Sequence, residues 1–199
     1  MTFWITQIAG ILVHPDREWP KIAREKQAAW QIFKRYLLPL TAIGPVTYHA
    51  GLLMEGGYPT DPVAREAVAQ LLIISPLTAW LACIMVVCVV SAVGYLAAPL
   101  FSGRRNIVQA FTVAVYATTP VWLACLVLVV PLAKFPLLAT LIMVGAIHGC
   151  YLFSSGVHYL LGVPLERSAE YTAITLTGSA VLCMLMSYAA GAAGLLPLI

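Results

Sequence analysis

His148, Cys150 and His158 stand in the apolar run "IHGCYLFSSGVHYLLG". Imidazole and thiolate are the side chains that most readily hold a transition metal or carry a proton. Spacing limits what they can do together. His148 and His158 are ten residues apart, about 15 Å along a helix. Two imidazoles that each need about 2.1 Å to an ion cannot share one across that gap. His148 and Cys150 are two residues apart and point to nearly opposite sides of a helix. This segment therefore forms no chelate by itself. An inter-helix site pairing His148 with Cys183, Cys83 or Met85 stays open, and its soft ligands would favour Cu(I). The five cysteines, at 83, 88, 125, 150 and 183, all lie in apolar runs without a CxxC and read as reduced thiols. No metal and no cofactor is assigned.

Hydroxyl and amide groups show a second pattern. Gln109, Thr112, Tyr116 and Thr119 follow steps of three and four, as do His148, Tyr151, Ser155 and His158, and Thr172, Thr175, Ser179 and Cys183. Each set lies on one face of its helix. Such faces either point inward and join helices by hydrogen bonds, each contributing about 0.6 kcal/mol and up to ~2, or they line a polar path. The candidate path residues are Tyr116, Thr119, His148, Tyr151, Ser155, His158 and Ser179. His49 lies towards the end of the first span and reads as a hydrogen-bonded interfacial residue. Catalysis is not expected. The chain has no GxxxxGK[ST], HExxH or GxSxG, and every Asp and Glu lies at or outside the end of an apolar run.

The elements that must position these groups follow from composition. Of 199 residues 61% are hydrophobic and 10% charged, against roughly 25% charged in a soluble domain. The chain reads as all-α: a polytopic bundle of five transmembrane helices preceded by an amphipathic interfacial segment. Residues 1–33 form that segment and 34–199 the membrane domain. Five runs are long enough to cross the roughly 30 Å hydrocarbon layer: about 34–54, 70–100, 107–131, 136–162 and 171–194. Pro39, Pro45, Pro76 and Pro120 lie in or near span ends, where each removes a backbone donor. Residues Glu55 to Gln70 read as a Gly- and Pro-containing loop leading into a helix capped at Thr60 or Asp61. A cleavable leader is not expected at the N-terminus.

Charge sets the orientation. With the N-terminus in the cytosol, nine Lys and Arg lie on that side, and Arg65 and Lys134 on the other, accounting for all 11. That bias places the C-terminus outside. The N-terminal segment "HPDREWPKIAREKQ" is the most charged stretch, with Trp19 and Trp30 as headgroup-level anchors. Lys21, Arg24, Lys26, Lys34 and Arg35 would face anionic lipid. Membrane lipids are the expected partners, with a second copy or another membrane protein as further candidates. A net charge of +3 does not point to nucleic acid.

Several stretches resemble a known family. "HPDREWPKI" is similar to a P-x-x-x-W-x-x-I signature ahead of a first span, through Pro15, Trp19 and Ile22. "GRRNIVQAFTVAVYATTPVWLACL" resembles a third span, with Gly103, Gln109, Tyr116, Thr119, Pro120 and Trp122 in place. "YLFSSGVHYLLGVPLERSAEY" resembles a fourth, with Tyr151, Gly156, Leu160, Pro164, Glu166 and Tyr171 in place. Together they resemble the bacterial branch of the Yip (Ypt-interacting protein) domain family. The resemblance implies five spans, a cytosolic N-terminus and the bacterial inner membrane. His148 stands where that family commonly has an aromatic, and His158 stands near a usual proline. A histidine site would therefore belong to this chain alone. The resulting expectation is a membrane-organising or partner-binding scaffold, with a transporter or channel as the alternative.

Overall fold

A computed structural model describes residues 2–25, 27–56, 61–130 and 135–192, with side chains described outside residues 2–5, 55–56, 62–75 and 190–192. Every regular element among them is helical. Two helices come first, α1 (Thr2–Val13) and α2 (Pro15–Glu25). Span 1 joins α3 (Ala29–Ile32), a π turn at Phe33–Leu37 and α4 (Leu38–Gly56). Pro39, two residues past the end of that turn, cannot donate to the Arg35 carbonyl, a local reason for the regular ladder to widen there. Span 2 lies in α5 (Pro62–Ala97), which begins where the sequence reading put a helix capped at Thr60 or Asp61, so the loop read over Glu55 to Gln70 is helical from Pro62 onward. Span 3 is broken into α6 (Ile107–Ala117), α7 (Thr119–Ala124) and a 3₁₀ turn at Cys125–Val129. The break falls where Pro120 lacks the donor for the Tyr116 carbonyl. Asn106 starts α6 by accepting from the Gln109 backbone N–H at 3.1 Å. Spans 4 and 5 are α8 (Ala139–Leu161) and α9 (Leu165–Ala192). Between them Gly162, at φ 70°, ends α8 in the left-handed conformation that costs glycine nothing.

Span 3 is the axis of the bundle, packing on spans 1, 2 and 4, while span 5 packs on spans 2 and 4. Close approach of backbones holds these contacts. A Cβ at Gly51 would run into the Leu128 carbonyl oxygen of span 3. Those at Gly145 and Gly149 would stand 2.8 Å and 2.9 Å from the Pro120 and Ala117 carbonyls. "GAIHG", Gly145 to Gly149, is a GxxxG surface, the small-residue pattern that lets membrane helices touch. Tyr171 closes the other seam. Its hydroxyl donates to the Gly94 carbonyl at 2.7 Å, and its ring stacks on Phe153 at 6.2 Å and meets Phe101 edge-on at 5.6 Å.

The N-terminal helices depart from expectation. α2 is amphipathic as read, but its apolar face, Pro15, Trp19 and Ile22, is buried in protein. Trp19 has no exposed surface and is a bundle residue, not a headgroup anchor. Trp30, 59% exposed, keeps the anchor's position. The α1–α2 hairpin lies against span 4, and two contacts fix its level. The Leu12 carbonyl meets His148, and about two turns further on the Trp19 ring fills the notch at Gly156. The hairpin therefore flanks the half of span 4 that leads to the basic Arg104–Arg105 end of the bundle, where the Arg104 N–H donates to the Leu161 carbonyl at 2.7 Å.

Candidate functional site

Tyr36 and Tyr116 meet beneath the hairpin. Their rings lie 4.4 Å apart, and the Trp19 ring meets Tyr116 edge-on at 6.3 Å and 81°. The Tyr36 hydroxyl and the Thr119 hydroxyl are hydrogen-bonded at 2.9 Å, joining spans 1 and 3 inside the bundle. Above the two tyrosines is a polar pocket of 120 Å³ lined by Gln7, Gln27, Gln31 and Arg35 with both rings. Gln27 donates to Glu25 at 2.6 Å. Three amides, a guanidinium and two phenols form a surface for hydrogen bonding. The pocket lining offers no nucleophile paired with a base, which a covalent mechanism would need.

Of the seven path residues, this site gathers Tyr116 and Thr119. The other five lie elsewhere. His148 Nε2 donates to the Leu12 carbonyl at 3.1 Å and so clamps the end of α1. Its ring lies 5.9 Å from that of Tyr151, which is 50% exposed and faces away from the bundle. Ser155 is half-buried, while its neighbour Ser154 makes the inter-helix bond, to Ser168 of span 5 at 3.0 Å. His158 Nδ1 donates to the Val163 carbonyl at 2.9 Å, tying down the turn after α8. Ser179 donates to the Thr175 carbonyl within its own helix at 2.6 Å. The seven are therefore not gathered in one place: Thr119 bonds to span 1, His148 to α1, His158 to the turn after α8 and Ser179 within span 5, while Tyr151 faces outward. His49 is buried and donates to the Pro45 carbonyl at 2.7 Å. Among the described residues no three His, Cys, Asp or Glu side chains cluster.

The basic segment is also divided. Lys21 pairs with Glu18, Arg24 is exposed, and Arg35 joins the polar pocket. Lys34 sits 4.4 Å over the Trp30 ring. Lys26 lies outside the described residues. Sequence reasoning passed over Tyr36 and the three glutamines, and met Gly156 only as part of the family resemblance. The GxxxG spacing in span 4 carried a readable signal, whereas nothing local marked Tyr36 as the partner of Thr119, 83 residues away.

Five helices long and apolar enough to cross a membrane, with a polar pocket capped by an N-terminal hairpin, define a polytopic helical membrane protein. The Yip1 domain model matches residues 9–190, and the chain belongs to that family. Neither the curated proteins nor the solved structures compared with it match the chain. Pro15, Trp19 and Ile22, the residues of the N-terminal resemblance, are the three that α2 buries.

Proposed function

We propose that the chain is a non-enzymatic membrane scaffold that organises partner helices, a second copy of itself first, and is not a conduit for solutes. The observation that carries this reading is the uneven covering of the spans. In span 3, 50% of the apolar window is buried, but in span 5 only 17%. Beyond Ser179 the side chains of Val181, Leu182, Met184, Leu185 and Tyr188 are exposed. The outer half of this helix meets little of its own chain and leaves a face free for a partner helix, whose association would rest on fitted packing against it. Of the groups that would line a path, Thr119, His148, His158 and Ser179 are each committed to a hydrogen bond, and the Trp19 ring fills the space between Tyr116 and Gly156.

The charge bias sets the hairpin and the basic end in the cytosol, which fits a bacterial inner membrane. Reporter fusions at each terminus check that orientation. Cysteines placed at Met184 or Tyr188 in native membranes test association. Disulfide-linked dimers are expected there and not at Leu77, an exposed position on span 2. Proteoliposomes test the rival reading. Protein-dependent flux of protons, monovalent ions or copper that changes in His148→Ala would overturn the scaffold.

A further inference from the structure

A second hollow lies on the outside of the bundle, near its basic end. It is a crevice of 440 Å³ between the start of span 1, the middle of span 2 and the start of span 3. Trp30 and Phe33, stacked at 5.6 Å and 10°, form one wall. Ile107, Val108 and Phe111 form another, with Cys88 and Ser91 behind. Ser91 directs its hydroxyl to the Val87 carbonyl at 2.6 Å and offers the crevice little polarity. The interior is thus hydrocarbon in character, and exposed Trp30, Ile107, Val108 and Cys88 open it to the side.

Both rims are cationic. Lys34 lies over the Trp30 ring. Arg105, two residues before Ile107, lies 5.9 Å from the Tyr95 ring, about one turn beyond Ser91. Among the described residues, neither Lys34, Arg35, Arg104 nor Arg105 is within salt-bridge distance of a carboxylate, unlike Lys21 and Arg167. An apolar slot open to the bilayer, with unpaired cations and an interfacial tryptophan at its mouth, matches one amphiphile class. Its tail is an alkyl chain, its headgroup carries a negative charge, and the boundary between them sits at the tryptophan level.

We propose that this crevice seats one acyl chain of an anionic phospholipid, whose phosphate is met by Lys34 and Arg105. The site does not depend on the scaffold reading. A chain that binds this lipid could serve a scaffold or a transporter.

The full chain is reconstituted in nanodiscs of phosphatidylcholine mixed with phosphatidylglycerol or, in a second arm, cardiolipin. Retained lipid is read by native mass spectrometry. Each basic group near an anionic headgroup contributes about fivefold in affinity. Lys34→Gln with Arg105→Gln should therefore lower the preference for the anionic lipid on the order of 25-fold. Lys21→Gln, removing a cation already paired with Glu18, should leave it unchanged. Val108→Trp, which fills the crevice, should abolish retention. A readout in the wild-type chain guards against misfolded variants. Cys88 lines the crevice, and Cys150 is exposed on span 4. Maleimide labelling mapped by peptide should slow at Cys88 but not at Cys150 when phosphatidylglycerol replaces phosphatidylcholine. The arm with the stronger retention identifies the headgroup. Equal retention of phosphatidylcholine and the anionic lipids, a preference that survives in the double variant, or equal labelling of Cys88 in both lipids would overturn the proposal.

Discussion

Trp19 and Gly156 are expected to be energetically coupled, and the sign of one substitution should reverse when the other is made. Trp19 is fully buried. A Cβ at Gly156 would stand 2.6 Å from its Cζ2, 2.8 Å from Cη2 and 2.9 Å from Cε2. These are three atoms of one rigid ring, so the ring as a whole must shift. Two effects compete in Gly156→Ala. Alanine gains about 1 kcal/mol of helix propensity over glycine, and overpacking costs about 1–3 kcal/mol. The net result is a loss of up to about 2 kcal/mol. Trp19→Ala alone should cost about 3–5 kcal/mol, as for other buried tryptophans. In that background the overlap is gone and only the propensity gain is left, so Gly156→Ala should stabilise by up to about 1 kcal/mol. The coupling energy is then about 1–3 kcal/mol. Equilibrium unfolding of the four proteins in mixed micelles measures it. If Gly156→Ala had the same sign and size with and without Trp19, the wedge between the hairpin and span 4 would be refuted.

The same geometry makes three further predictions. Gly51→Ala should be more damaging than Gly156→Ala, because its Cβ would overlap a backbone carbonyl, which cannot swing aside as a side chain can; the yield of folded protein and its unfolding midpoint should both fall. Tyr36→Phe and Thr119→Val should each cost about 0.6 kcal/mol and at most ~2, with the double variant costing little more than either single one, since one 2.9 Å bond is lost in each case; the same unfolding assay reads this. His148→Leu should release the end of α1, giving faster amide exchange over α1 by mass spectrometry while the spans keep their protection, because the His148 ring bonds to the Leu12 carbonyl.

The spans were legible because their signal is local. A run of about 20 apolar residues has few other solutions, and the five helices fall close to the runs read from composition, except that helix reaches back to Ala29 in span 1 and to Leu165 in span 5. The stripes of Tyr116, His148 and Ser179 were also real faces of helices. Periodicity shows which residues share a face, but not which neighbour that face meets. His148 meets a carbonyl 136 residues away, Tyr151 meets no inward neighbour that would bury it, and Ser179 satisfies itself within its own turn. Neighbour identity is a property of the assembled bundle, and single-helix patterns carry no trace of it.

The N-terminal hairpin shows the same limit from the other side. An amphipathic helix with Lys21, Arg24 and an apolar Pro15–Trp19–Ile22 face suits a bilayer surface and a protein groove equally well. Hydrophobic surface alone cannot choose between them. The choice is made by shape, elsewhere in the chain. Gly156 removes the side chain that would occupy the place of the indole, Tyr116 supplies an edge-on partner, and Gly10 lets α1 approach the Glu18 side chain of α2. Hydrocarbon solvates an aromatic ring about as well as protein does, so only fitted packing gives the groove its advantage. It follows that enlarging residue 156 should move the hairpin before it disturbs the spans. Gly156→Leu, with a tryptophan fluorescence shift and labelling of a cysteine at Ile22 as readouts, should expose α2 while span contacts such as Thr47 with the Cys125 carbonyl, at 2.8 Å, persist. Loss of the whole fold in that variant would show that the hairpin is an integral part of the bundle and not a docked unit.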